Sequence, residues 1–149
     1  MIVDTNLRTP ESVSVLTGPL AKKTIIVTCE TNPKVHRCYQ LQRATVMVCE
    51  EYDGRVAMTD LLHKLGRFGV QTILLEGGSR LAGDMLRHKL IDEFAFFYAP
   101  KVVGNGFAPF TLTGVDTMDE AFRVVIDRVG MSGPDVVVHA RPEVPCSPA

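Results

Sequence analysis

The sequence predicts an α/β protein with a mixed sheet, parallel for most of its width and closed by a C-terminal antiparallel hairpin, with helices on both faces. Short β-branched runs alternate with stretches of helical periodicity through residues 24–90. This spacing is typical of parallel strands joined by right-handed crossovers. Only residues 130–134 separate two later strand-like runs, and so short a link permits a hairpin but no helical crossover.

The first half of the chain supplies alternating strands and helices. Residues 24–29 are mostly β-branched, which is the pattern of a strand covered on both faces. Asn32-Pro33 breaks the chain before a short helix. In order, we expect a strand end at 1–5, a long connection with at most one irregular turn at 6–23, a strand at 24–29, a helix at 34–43, a strand at 44–49, a polar turn at 50–54 and an amphipathic helix at 58–68.

The second half repeats the pattern once and then changes. A long loop rich in glycine and proline, residues 101–117, suggests a functional or subunit-contact role. The tail from Pro142 contains three prolines, and we expect it to be frayed. The elements expected here are strands at 71–75 and 92–99, a helix at 79–90, and hairpin strands at 122–129 and 135–140. We find no domain boundary, so residues 1–149 form a single predicted domain.

The chain is organised around residues 74–84, where an apolar run stops at Glu76 and a helical pattern begins after Gly77 and Gly78. The first turn of such a helix has unpaired backbone N–H groups and the positive end of the helix dipole. Glycine lets a phosphate approach that backbone without a Cβ in the way. This stretch therefore predicts a phosphate-binding turn suited to a nucleotide.

A second interpretation of the same turn stays open on the residues alone. The two glycines supply unusual backbone angles, and Ser79 caps the helix. Neither the six-residue dinucleotide fingerprint nor a Walker loop is present. The turn by itself does not decide between structure and ligand binding.

Composition argues against several kinds of partner. The formal net charge is −1 and the basic residues are scattered, so nothing predicts a nucleic-acid surface. No apolar stretch approaches the roughly 20 residues that cross a bilayer, and the N-terminus lacks the layout of a secretory signal. We expect a soluble, cytoplasmic protein.

The cysteines and histidines do not form a metal-binding pattern. No Cys-x-x-Cys or His-x-x-x-His spacing occurs, so we predict no metal site. We expect the cysteines to behave as small buried hydrophobes.

Three motifs in order carry a resemblance to a known family. They are Val-Asp-Thr-Asn-Leu-Arg-Thr-Pro at residues 3–10, Leu-Glu-Gly-Gly at 75–78, and Leu-Ile-Asp-Glu at 90–93 followed by Ala-Pro-Lys-Val-Val-Gly at 99–104. Together they resemble the reductase domain of riboflavin biosynthesis, which forms the C-terminal part of a bifunctional deaminase and reductase and also occurs as a free-standing enzyme. The resemblance covers nearly the whole chain and implies a dihydrofolate-reductase-like fold.

The resemblance also implies a reaction, a cofactor and site residues. NADPH would deliver hydride to C1′ of the ribosylamino side chain of a phosphorylated pyrimidine, giving the ribitylamino product. Glu76 would contact the substrate, and Thr5 would touch the adenosine end of NADPH. The residues that would bind the cofactor diphosphate are Gly77, Gly78, Ser79, Arg80, Leu81, Ala82, Gly83 and Asp84.

Two of these assignments have a plain structural alternative. Arg8 could form a fork with the 2′-phosphate that distinguishes NADPH from NADH, or it could be a solvated surface arginine. Glu76 at a strand end could instead cap the next helix or lie in solvent. We see no nucleophile or acid–base pair, so holding the cofactor close to the acceptor carbon would supply the rate.

The sequence departs from the family pattern before residue 1. The family's first strand and helix, with a Ser-Leu-Asp-Gly-type motif, and its Gly-x-Gly-Thr and Asp-Asp-Pro segments are not in this sequence. We therefore expect a fragment or a truncated gene product with an exposed sheet edge, which predicts a homodimer and weak or absent catalysis in isolation. The alternatives are a related reductase of another substrate and a non-catalytic or partner-completed nucleotide-binding module. Whether the pyrimidine is the deaminated or the diamino form stays open.

Overall fold

A computed structural model describes residues 1–106, 108–111 and 115–143. The chain clusters into two compact units, Met1–Ile73 and a second unit that begins at Leu74.

The first unit is built on a three-stranded parallel sheet. Its strands are β1 (Ile2–Val3), β2 (Ile25–Thr28) and β3 (Thr45–Val48), in the order β1-β2-β3. Ile26 of the central strand lies opposite Ile2 on one side and Val46 on the other. Three consecutive residues of β2, from Ile26 onward, have no exposed surface. The sequence prediction of a strand covered on both faces is confirmed.

Two α-helices and a small hairpin complete this unit. Helix α1 spans Pro33–Leu41, and the Asn32 side chain accepts a hydrogen bond from the Lys34 backbone nitrogen at 3.0 Å. Helix α2 spans Met58–Arg67. The predicted polar turn at 50–54 is a two-stranded hairpin of β4 (Glu51–Tyr52) and β5 (Arg55–Val56).

The long connection after β1 is more ordered than the sequence suggested. It contains two 3₁₀ helices, Ser14–Leu16 and Gly18–Lys23. Leu7 and Leu16 from this segment pack in one apolar cluster with Ile26, Tyr39 and Ala44. Burial of these leucines, rather than any helical periodicity, orders the segment.

The second unit combines one helix with an antiparallel sheet. After α3 (Ser79–Arg87) come β6 (Phe94–Tyr98), a 3₁₀ helix (Met118–Glu120), β7 (Val124–Ser132) and β8 (Asp135–Pro142). The strand order is β6-β8-β7, and residues 133 and 134 alone connect β7 to β8. The predicted hairpin is confirmed, with both strands longer than expected.

Helix α3 packs on one end of this sheet. Leu86, Phe94 and Ala140 form a buried cluster to which Phe96 and Phe110 add their rings. The Phe94 and Phe96 rings stack at 5.4 Å, and Phe110 meets the Phe94 ring edge-on at 6.0 Å. This packing fixes the position of α3 on the sheet.

The prediction of a strand at residues 71–75 is wrong. Among the described residues this segment pairs with no strand, and the Leu74 side chain is 81% exposed. A run of apolar residues becomes a strand only where a neighbouring strand completes its hydrogen bonds. The α/β class, the parallel sheet and the closing hairpin are confirmed. The described strands form one parallel sheet (β1-β2-β3) and two antiparallel ones (β4-β5 and β6-β8-β7).

Boundaries near the C-terminus also differ from expectation. Helix α3 ends at Arg87 instead of residue 90, and Lys89 follows it with φ of 55°. Pro142 belongs to β8, and the Glu143 backbone nitrogen donates to the Arg123 carbonyl at 3.1 Å. The rest of the tail predicted to be flexible, residues 144–149, lies outside the described residues.

Candidate functional site

Two left-handed glycines lead into α3. Gly77 has φ of 70° and Gly78 has φ of 79°, which are angles that favour glycine. A Cβ added to Gly77 would have no neighbouring atom within 4 Å. The backbone conformation therefore explains this glycine, and the space beside it is open to a ligand.

The start of α3 has no side-chain cap. Gly78 occupies the N-cap position, no side-chain hydrogen bond closes the first turn, and that turn has no acidic residue. Ser79 is the first residue of the helix, so the alternative in which it caps the helix is wrong. Uncapped N–H groups and the positive end of the dipole together favour an anion here.

Glu76 and Arg80 bear the charges that flank this turn. Both side chains are exposed. Glu76 does not cap α3, because no side-chain cap is present there. The turn thus has a carboxylate on its upstream side and a guanidinium in the first turn of the helix.

Thr111 packs against the same helix. Its backbone nitrogen donates to the Ser79 carbonyl oxygen at 2.8 Å, and its Oγ1 donates to Ser79 Oγ at 2.9 Å. A Cβ added to Gly83 would overlap the Thr111 carbonyl oxygen and lie 2.9 Å from its carbonyl carbon. Gly83 therefore permits close approach of the Thr111 backbone. Sequence reasoning missed Thr111, although a glycine inside a helix was a signal of such an approach.

The remaining residues of the predicted diphosphate site lie along α3. Leu81, Ala82 and Asp84 are half-buried. The Ala82 backbone nitrogen already donates to the Gly78 carbonyl at 2.9 Å. Within α3, only the residues before Ala82 have backbone N–H groups that the helix itself leaves unpaired.

In the first unit, Thr5 and Arg8 lie in a loop that Asp4 closes. Asp4 Oδ2 accepts hydrogen bonds from the backbone nitrogen and from Oγ1 of Thr9, both at 2.6 Å. Partial burial raises the pKa of Asp4, but hydrogen bonds from Thr9 and from the backbone of Arg8 and Asn6 outweigh it and hold the pKa below its ordinary value. The loop is therefore held by a charged acceptor.

Tyr39 fixes the same loop from α1. Its buried hydroxyl shares one proton between the carbonyl oxygens of Leu7 at 3.0 Å and Thr9 at 2.8 Å. The Thr5 carbonyl accepts from Thr28 Oγ1 at 2.8 Å and from the Cys29 backbone nitrogen at 3.0 Å. These contacts leave Thr5 half-buried and Arg8 exposed. A guanidinium on a fixed loop suits recognition of a phosphate.

A separate polar cluster closes the end of β3. Asp60 Oδ2 accepts from Lys64 Nζ at 2.7 Å and from the Glu50 backbone nitrogen at 2.8 Å. The hydrogen bond from Lys64 lowers the pKa of Asp60. Burial, with Asp60 nearby, raises the pKa of Cys49 to about 11. Cys49 is 4% exposed, which confirms it as a buried thiol, whereas Cys29 and Cys38 are only half-buried.

The chain matches a known family along most of its length. Residues 1–138 fit the family model described as the RibD C-terminal domain. The chain belongs to the RibD C-terminal domain family. The resemblance carried by the three sequence motifs is thereby confirmed.

Curated relatives agree with this membership of the RibD C-terminal domain family. The riboflavin biosynthesis protein RibD of Actinobacillus pleuropneumoniae is 28% identical over 140 residues, covering 93% of this chain and 37% of that protein. The 2,5-diamino-6-ribosylamino-4(3H)-pyrimidinone 5′-phosphate reductase of Methanothermobacter thermautotrophicus is 33% identical over 141 residues, covering 93% of this chain and 63% of that protein. The chain thus spans less than two thirds of the length of either relative.

Solved structures of a RibD protein and of a pyrimidine reductase-like protein show the same fold. RibD of Acinetobacter baumannii superposes with a TM-score of 0.74 at 19% identity, covering 93% of this chain and 36% of that chain. A pyrimidine reductase-like protein from Corynebacterium diphtheriae superposes with a TM-score of 0.73 at 14% identity, covering 93% of this chain and 58% of that chain. At these identities the likeness establishes the fold alone.

None of the helices in the described ranges of this RibD C-terminal domain is both long and apolar enough to cross a membrane. Those same ranges bring no three His, Cys, Asp or Glu side chains together as ligands for a metal.

Proposed function

We propose that this chain is the reductase domain that reduces the ribosylamino side chain of a phosphorylated pyrimidine in riboflavin biosynthesis, with NADPH as reductant. The observation that supports this most strongly is the Gly77–Gly78 turn before an uncapped α3, within a chain of the RibD C-terminal domain family. Relatives are named as reductases of such pyrimidine phosphates.

The residues at the start of α3 fit a dinucleotide diphosphate. Gly77 and Gly78 leave the backbone accessible, and Arg80 adds a positive charge. Ser79 through Asp84 continue the same helix, whose dipole favours the anion. When bound, the nicotinamide ring supplies the hydride for C1′ of the substrate.

Arg8 and Thr5 are proposed to bind the adenosine end of the cofactor. The loop that holds them is fixed by Asp4 and Tyr39, while the Arg8 side chain is exposed. A guanidinium binds a phosphate through two parallel hydrogen bonds. Arg8 would therefore favour NADPH over NADH, which lacks the 2′-phosphate.

Glu76 is proposed to bind the substrate. A carboxylate accepts hydrogen bonds from the hydroxyl and amino groups that a ribosylamino pyrimidine carries. We assign no nucleophile or proton donor, so the rate would come from holding the two reactants in a productive geometry. Glu76 would contribute to that orientation.

We propose a homodimer formed through β7 of two copies. The described residues place no strand on the outer edge of β7, and Val124, Ile126, Val129 and Met131 are 41, 60, 60 and 67% exposed. These residues flank Asp127-Arg128 on both sides. Asp127 is already ion-paired with Arg141 of the same chain at 3.0 Å, so antiparallel pairing of two copies would rest on these apolar side chains. A free apolar edge of this length otherwise invites aggregation.

We also propose that the protein acts in the cytoplasm, where NADPH and phosphorylated pyrimidines, both charged solutes, are available.

The alternative function is that of a non-catalytic nucleotide-binding module. Such a module would bind the nucleotide without turnover, and in this one respect it differs from the reductase.

A single-turnover assay tests the proposed activity. Excess protein is mixed with NADPH and either the diamino or the deaminated pyrimidine, and the product is detected by mass spectrometry. We expect a ribitylamino product from one of them, and a loss of about tenfold or more with Glu76→Gln. The exposed Glu93→Gln variant is the matched control. Binding of NADPH with no product from either pyrimidine would favour a nucleotide-binding module.

A further inference from the structure

Thr111 makes two hydrogen bonds to a single residue of α3. Its backbone nitrogen donates to the Ser79 carbonyl at 2.8 Å, and its hydroxyl donates to the Ser79 hydroxyl oxygen at 2.9 Å. Both bonds join residues 32 positions apart. Thr111 is therefore fastened to the first turn of the helix.

This contact determines what the Ser79 hydroxyl can do. A serine hydroxyl has one proton to donate and two lone pairs that accept. When Thr111 Oγ1 donates to Ser79 Oγ across their 2.9 Å separation, the Ser79 proton can be donated to another acceptor. An available O–H in the first turn of a helix adds a donor beside the unpaired N–H groups.

Gly83 maintains the contact one turn further along. A Cβ there would overlap the Thr111 carbonyl oxygen, so any larger residue would push Thr111 away from α3. Gly83 is buried and has no left-handed φ. The close approach to Thr111 is thus the structural reason for glycine at this position.

We propose that Thr111 is a positioning residue for the nucleotide site: it holds Ser79 with its hydroxyl proton free to donate to a diphosphate at the Gly77–Gly78 turn. The inference rests on the proposed function, because that function supplies the anion. Thr111 itself need not touch the ligand, and its effect passes through Ser79.

A double-mutant cycle separates positioning from simple packing. NADPH is titrated into the full chain and into Thr111→Val, Thr111→Ser, Ser79→Ala and Ser79→Ala/Thr111→Val. We expect Thr111→Val to raise the Kd for NADPH about five- to tenfold, Ser79→Ala to raise it about tenfold, and the double variant to match Ser79→Ala within about twofold. Thr111→Ser retains the hydroxyl and should stay within about twofold of the unmodified chain.

Controls distinguish the possible failures. Thr59→Val, at an exposed position of α2, should leave the Kd unchanged. Inorganic pyrophosphate is titrated in parallel as the anion alone, and it should show the same pattern across the variants. If the unmodified chain binds NADPH but Thr111→Val binds equally well, or weakens binding equally with and without Ser79, the Thr111 inference is wrong and the proposed function stands. If neither NADPH nor pyrophosphate binds the unmodified chain, both are wrong.

Discussion

Asp4 and Thr9 close the loop after β1, since Asp4 Oδ2 lies 2.6 Å from both the backbone nitrogen and the Oγ1 of Thr9. The partners lie five positions apart in the sequence, and Arg8 lies between them. The loop that bears a proposed cofactor contact is therefore held by hydrogen bonds to a charged carboxylate, which are stronger than those to a neutral acceptor.

Asp4→Asn should destabilise the fold by about 1 kcal/mol at neutral pH, because it keeps an acceptor oxygen but removes its charge. The folded pKa of Asp4 lies below the 3.8 of an ordinary aspartate. Its charge therefore contributes stability above the unfolded pKa, and this contribution is lost as pH falls through the folded pKa.

Urea denaturation at pH 7 and at decreasing pH below 4 measures both effects. The difference in stability between Asp4→Asn and the unmodified chain should shrink on acidification. Asp92→Asn, an exposed position, is the control. A difference that is constant or grows as pH falls would contradict the role given to the Asp4 charge.

Gly83→Ala and Gly66→Ala should have opposite effects on stability. Gly83→Ala forces a Cβ into the Thr111 backbone, whereas a Cβ at Gly66 in α2 meets nothing within 4 Å. We expect Gly83→Ala to lower stability by about 1–3 kcal/mol through overpacking, and Gly66→Ala to raise it by about 0.5–1 kcal/mol because alanine favours the helix. Thermal denaturation measures both. Equal effects of the two substitutions would contradict the close contact between α3 and Thr111.

Ile126→Lys should convert the proposed dimer into a monomer. The substitution places a charge in the exposed apolar row of β7, where the dimer would bury it against apolar side chains of the partner copy. Sedimentation velocity measures the mass, and Val35→Lys on the exposed surface of α1 is the control. Sedimentation of the unmodified chain as a monomer at all concentrations would contradict the proposed dimer.

Local sequence signals predicted the elements that local chemistry specifies. The β-branched run at β2, the Asn32-Pro33 start of α1 and the short hairpin link all appear in the structure. The failed strand at residues 71–75 needed a pairing partner, which an apolar run does not itself reveal. Strand pairing depends on residues far away in sequence, and pattern reasoning does not see them.

The residues of the candidate site fall into the same two groups, those that local sequence specifies and those that distant contacts hold in place. The left-handed Gly77 and Gly78 and the start of α3 follow from local backbone chemistry, so the sequence located them. Thr111 reaches Ser79 across 32 positions, and the glycine inside α3 indicates a close approach without revealing which residue makes it. Tyr39 likewise fixes the loop at Thr9 from 30 positions away. The groups that hold the site in place were therefore missed.

Calorimetric titration of NADPH and NADH tests the central claim, that the turn before α3 binds the cofactor diphosphate. We expect NADPH to bind the unmodified chain more tightly than NADH, and Gly78→Val to weaken both at least about tenfold, because a branched side chain disfavours φ of 79° and obstructs the backbone. Arg8→Ala should remove the preference for NADPH, whereas Arg67→Ala, at the exposed end of α2, should change nothing. Equal binding of NADPH by the unmodified chain and a folded Gly78→Val variant would contradict the account.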